Sequence, residues 1–65
     1  MRQYEIIVMV GPWTSEDQKQ FGWESIKSHY RNGLDAARDC RDYWRNKNPN
    51  AMVMIRDAET LRQAG

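Results

Sequence analysis

Residues 32–47 read Asn32-Gly33-Leu34-Asp35-Ala36-Ala37-Arg38-Asp39-Cys40-Arg41-Asp42-Tyr43-Trp44-Arg45-Asn46-Lys47. This stretch predicts one long helix, and the fold class follows from what flanks it. Asn32 is a favourable N-cap, and Asp35 three residues on makes a short-armed capping box. Lys47 falls in the last turn, where a cation suits the helix dipole. Pro49 stops the helix, because the residue before a proline avoids the α region. At about 100° per residue, Ala36, Ala37, Cys40, Tyr43 and Trp44 share one arc and form the core stripe. Leu34, Arg38, Arg41 and Arg45 share a second face, and Asp35, Asp39, Asp42 and Asn46 a third. Asp35 with Arg38, and Arg38 with Asp42, stand at pairing distance.

Before the helix, residues 3–10 alternate β-branched and aromatic side chains until Gly11-Pro12 ends the run, which predicts a central strand apolar on both faces. Residues 11–21 are polar in the middle and predict a long loop, with Thr14 and Asp17 able to cap a short helix. Residues 23–30 fit two readings. Trp23, Ile26 and Tyr30 have helical spacing, whereas Ile26, Ser28 and Tyr30 fit one face of a strand. Gly22 and the cap at Asn32 favour the strand. After the helix, Asn48-Pro49-Asn50 turns the chain into a strand over 51–56, and Asp57 can cap a terminal helical turn through Thr60 and Leu61. The order is β-β-α-β, an α+β fold with a three-stranded sheet, the first strand in the middle and the helix on one face. The alternative is β-α-α-β.

Sixty-five residues make a single small domain, near the lower size limit for independent folding. A core of this size supplies only about 3–5 kcal/mol, so short chains commonly add disulfides, metal or a second subunit. One cysteine rules out an internal disulfide, and one histidine with one cysteine rules out an ordinary four-ligand zinc site. No cofactor is expected, and association with a partner or a second copy is the remaining device. Ten Lys and Arg against nine Asp and Glu leave no strong field to attract nucleic acid or an anionic membrane. No apolar run approaches the 18 or so residues of a membrane span, and no signal-peptide core is visible. A lone cysteine fits a reducing compartment, so the cytoplasm is the expected location.

Candidate chemistry is sparse, and no enzymatic activity is expected. Cys40 lies on the core stripe and reads as a small buried residue. His29 is the only imidazole and has no sequence-evident partner for catalysis or metal binding. The helix aspartates read as a solvated face balanced by arginines, and Gly11-Pro12 lacks the spacing and lysine of a phosphate loop. The contact-forming residues are more informative. If Tyr4, Ile6, Val8, Val10, Val53 and Ile55 pack under the helix, then Ile7, Met9, Met52 and Met54 lie together on the opposite face. Soluble monomers seldom leave such a patch bare, and methionine adapts well to partners; the alternative is that the loop bearing Trp13, or the terminal Leu61, folds over it. Trp13 and Trp23 add interface-forming aromatics outside the core stripe. Arg38, Arg41 and Arg45 form a stripe suited to an acidic protein surface, or less favourably to nucleic acid.

The half of the chain from Tyr30 through Asn32, Leu34, Asp35 and Ala36 to Asn48, Pro49, Ala51, Val53, Ile55 and Asp57 resembles small accessory proteins of phages and prophages. In those a strand leads into a helix opening on a capped Leu-Asp/Glu-x-Ala, followed by Asn/Pro and a last strand. The resemblance implies no catalytic residue. It implies a small protein, acting in the host cytoplasm, that binds and modulates a host complex, as host-takeover and anti-CRISPR proteins do. The segment Trp13–Phe21 departs from that pattern. The expected function is therefore non-enzymatic protein binding, with a homodimer through the methionine face ranked slightly ahead of direct binding of a host target. A nucleic-acid-associated module is the alternative.

Overall fold

The alternating residues Gln3–Val10 form β1, the strand on which the rest assembles. In the computed structural model, which describes residues 2–15 and 20–64 (backbone alone at 13–15, 20 and 21), the elements that follow are β2 (Trp13–Ser15), β3 (Gln20–Gly22), β4 (Ser25–Asn32), α1 (Leu34–Lys47), β5 (Met52–Asp57) and β6 (Gln63–Ala64). The order in the main sheet is β4-β1-β5-β6, with each neighbouring pair antiparallel. β4 and β5 thus run the same way on either side of β1, and α1 carries the chain across between them. The α+β class and the central β1 are as the sequence predicts, and Ser25–Asn32 is the strand rather than the helix of the β-α-α-β alternative.

The sheet has four strands, not three. Asp57 does act as a cap: its Oδ1 accepts from the amides of Glu59 at 2.8 Å and Thr60 at 3.1 Å. The chain then turns back instead of coiling onward. Leu61 takes a φ of 60°, and the Asp57 amide donates to the Arg62 carbonyl at 2.8 Å. Residues 63 and 64 can then pair with Arg56 and Ile55, satisfying main-chain groups at the outer edge of β5 that a helical turn would leave unpaired.

The helix also starts differently. Asn32 stays in β4, paired with Gln3, so its side chain is not the N-cap. Gly33 takes that place with φ 85° and ψ 146°, and no side chain caps the helix. This backbone region is essentially reserved for glycine, which is what a turn straight from an extended strand into a helix demands. The Gly33 amide donates to the Arg2 carbonyl at 2.7 Å, and its carbonyl accepts from Ala37 at 3.1 Å.

The expected loop over 11–21 carries a two-stranded hairpin instead. Trp13 pairs with Gly22, Thr14 with Phe21 and Ser15 with Gln20. Thr14 therefore belongs to a strand and caps no helix, and Asp17 lies outside the described residues. At the base of the hairpin Gly11 has φ 138°, and a Cβ there would stand 3.0 Å from the Glu24 backbone nitrogen. Only glycine fits where the two segments pass so closely.

The core lies between α1 and the sheet. Ile6, Val8, Ala37, Cys40, Val53 and Ile55 are buried, with Tyr4, Val10, Trp44, Ala51 and Ala64 packed around them. All six side chains predicted to lie under the helix are in this set. Each buried Val or Ile contributes roughly 1.5–3 kcal/mol of transfer free energy. Ala37, wholly buried, lets the helix approach β1 and β5 closely. Tyr43 departs from the predicted stripe: it is 55% exposed. It sits at the margin of the apolar arc, and the sheet ends at β4. Its ring stands edge-on to Trp44, with centroids 5.2 Å apart.

Candidate functional site

Pairing registers place every side chain of the helix-free face on a grid. Met9 of β1 pairs with Ile26 of β4 and Met52 of β5. The next row is Ser28, Ile7 and Met54, and the next Tyr30, Glu5 and Arg56. Side chains in one row stand about 4.5–5.5 Å apart at their Cβ atoms. Ile7, Met9, Met52 and Met54 are thus contiguous, as predicted, and β4 adds Ile26 to them. Ile26 is 59% exposed, Met52 52% and Tyr30 51%. The helix α1 lies on the other side of the sheet, against β1, β4 and β5. β1 is central in the sheet, with α1 covering one of its faces.

The third row closes the apolar patch with charge. Arg56 Nε donates to Glu5 Oε1, and the Tyr30 hydroxyl donates to Glu5 Oε2 at 3.2 Å. Glu5 is buried although it belongs to the open face, because these two longer side chains fold over it. Hydrogen bonds from Ser28 and then Arg56 hold its carboxyl below the usual glutamate range, outweighing the opposing effect of burial. A comparable pair ties the N-terminus to the β5–β6 turn, where Arg2 holds the Asp57 carboxyl low.

Trp23, expected within a strand, precedes β4 and is half-buried. Together with Pro12, Arg45, Ala51 and Met52 it lines a cleft of about 580 Å³ at the margin of β5. Three residues nominated on separate grounds, Trp23, Met52 and Arg45, thus meet at one place. The side chain of Trp13 lies outside the described residues.

The arginine stripe does not form one free surface. Arg45 Nη2 donates to the Val53 carbonyl at 3.2 Å, capping the part of the β5 edge that β6 does not reach. Arg41 pairs with Asp42 at 3.1 Å, in place of the predicted Arg38–Asp42 pair, and its side chain is only 18% exposed. Arg38 is exposed. Arg41 is thus largely covered, while Arg45 is bonded to the sheet edge and still exposed.

Cys40 is free and buried, as its place on the core stripe predicts. His29 stacks on Trp44 beneath the helix. Among the described residues no group of three or more His, Cys, Asp or Glu could hold a metal ion, and no helix is long and apolar enough to cross a membrane. Ile26 and Tyr30 are the site residues that sequence reasoning missed. Their alternation was visible, but only the register with β1 sets them beside Met9 and Glu5. No protein-family model, curated protein or solved structure matches this chain.

Proposed function

We propose that this chain is a non-enzymatic binding protein whose helix-free sheet face is its contact surface, and that it modulates a host protein complex in the manner of phage host-takeover or anti-CRISPR proteins. One observation carries the binding role. Ile7, Met9, Ile26, Met52 and Met54 form a continuous apolar grid on the sheet face opposite α1. On a 65-residue chain such a patch marks an interaction site, since leaving it in water forgoes roughly 25 cal/mol for each Å² of apolar surface. Methionine supplies adaptable contact and Trp23 a rigid anchor beside it. The phage connection rests on the resemblance of the Tyr30–Asp57 half alone. The pairing of Arg41 with Asp42 and of Arg45 with the Val53 carbonyl counts against the nucleic-acid reading.

A second copy of the chain is the first occupant of this face, because a small core gains most from a symmetric apolar partner. A host protein is the second. Light scattering of the purified chain, beside Met9→Glu with Met54→Glu, tests both. The expected result is a dimer that the double substitution converts to a folded monomer. A monomeric native protein that captures a defined host protein, lost on substitution, transfers the face to the host target. A monomer that captures nothing through this face overturns the proposal.

A further inference from the structure

The groove between the outer edge of β4 and the C-terminal half of α1 is a second surface, across the sheet from the apolar grid. Val8 and Val10 form its floor, Lys27 and His29 one wall, and Trp44 and Lys47 the other, around a cavity of about 210 Å³. None of the residues lining it is acidic. Glu24, which precedes β4, and Asp39 and Asp42 on the outer side of α1 are exposed and do not line it. Lys47 Nζ stands 5.3 Å from the Trp44 ring centroid, so cation and aromatic face occupy the same wall.

The edge beside this groove presents its main chain. The Gly33 amide bonded to the Arg2 carbonyl sets the phase of the β1–β4 ladder. In that phase Lys27, His29 and Arg31 exchange main-chain bonds with β1, and the amides and carbonyls of Ile26, Ser28 and Tyr30 face outward. Arg31 Nη1 donating to the Tyr30 carbonyl at 2.7 Å agrees with this direction. Among the described residues β4 has no neighbour on its outer side. Its helix-side residues, Lys27, His29 and Arg31, also decide what can pair there. A second β4, antiparallel about Ser28, would set Lys27 opposite His29 of the other copy and diagonal to its Lys27 and Arg31, gathering cations on one face with no carboxylate to balance them. An acidic strand meets the opposite condition.

We infer that β4 accepts an extended acidic segment of a partner protein as an added strand, with one carboxylate side chain entering the groove between Lys27 and Lys47. Main-chain bonds to Ile26 and Ser28 supply affinity, and the cationic, aromatic-walled groove supplies selectivity. The oligomeric state of the opposite face does not enter this inference.

The test uses a blocked, fluorescein-labelled heptapeptide alternating valine and aspartate, its valine–lysine counterpart, and a decameric oligo-dT, each titrated into the full chain by fluorescence anisotropy. Saturable binding of the acidic peptide alone is expected. Lys27→Glu with Lys47→Glu should weaken it at least tenfold. On the unaltered protein, N-methylation of one alternate set of peptide amides should abolish binding and the other set should leave it, and amide exchange at Ile26 and Ser28 should slow at least tenfold. Met9→Glu with Met54→Glu should leave peptide binding unchanged, which separates this groove from the apolar face. Absence of binding at millimolar peptide, equal tolerance of both methylation sets, slowed exchange elsewhere, or preferential binding of oligo-dT would each overturn the inference.

Discussion

The imidazole of His29 lies on the indole of Trp44, with ring centroids 4.7 Å apart and planes 20° from parallel. Stacking brings β4 and the last turns of α1 together, but it leaves His29 Nε2 buried with no hydrogen-bond partner among the described residues. Phenylalanine keeps the flat ring and removes the unsatisfied atom. His29→Phe should therefore stabilise the fold by about 1 kcal/mol, and His29→Ala should destabilise it by a similar amount through lost stacking. Thermal melts at fixed pH distinguish the two, and a lower midpoint for His29→Phe contradicts the stacking account.

Gly33 joins β4 to α1 in a conformation that other residues avoid. Gly33→Ala should cost about 1–3 kcal/mol. Asn32→Ala should cost little through capping, since no side chain caps this helix. Urea unfolding of the two variants side by side settles which residue governs the helix start. The reverse ranking would restore Asn32 as the cap.

Glu5 links stability to pH. Its folded pKa is lowered from an ordinary value of 4.5, so the stability it contributes is fully present above that value and is lost as pH falls through the lower, folded one. Asp57, lowered from 3.8, acts in the same direction. Denaturant midpoints should decline as pH drops below about 5. Glu5→Gln should be less stable than the native chain at pH 7 and converge on it in acid. A constant gap between the two down to pH 3 means that the Glu5 carboxylate is not held by Ser28 and Arg56.

Arg45 serves the β5 edge rather than a free cationic stripe. Removing its bond to the Val53 carbonyl by Arg45→Ala should cost about 1 kcal/mol. Arg38→Ala, at an exposed position, should stay within about 0.5 kcal/mol of the native chain. Equal effects of the two in chemical unfolding would put both arginines back on one solvated face.

Local periodicity determined which residues form β1, α1 and β5, and which side of each is apolar. A period of two or of 3.6 is written into neighbouring residues and survives without knowledge of the rest of the chain. That is why the six side chains beneath the helix and the Ile7, Met9, Met52 and Met54 patch were legible in the sequence. The tertiary structure decided what depends on distant segments meeting. Register placed Ile26 beside Met9 and Tyr30 beside Glu5, and a slip of one residue would have sent both to the other face. Unpaired groups at the β5 edge drew residues 63 and 64 into a fourth strand and took up Arg45. Continuation of the β1–β4 ladder to Asn32 passed the helix start to Gly33. The β1–β4 ladder joins segments far apart in the chain, whereas the β5 edge is completed by residues within about nine positions; in both, satisfying main-chain groups overrode a local preference worth about 1 kcal/mol.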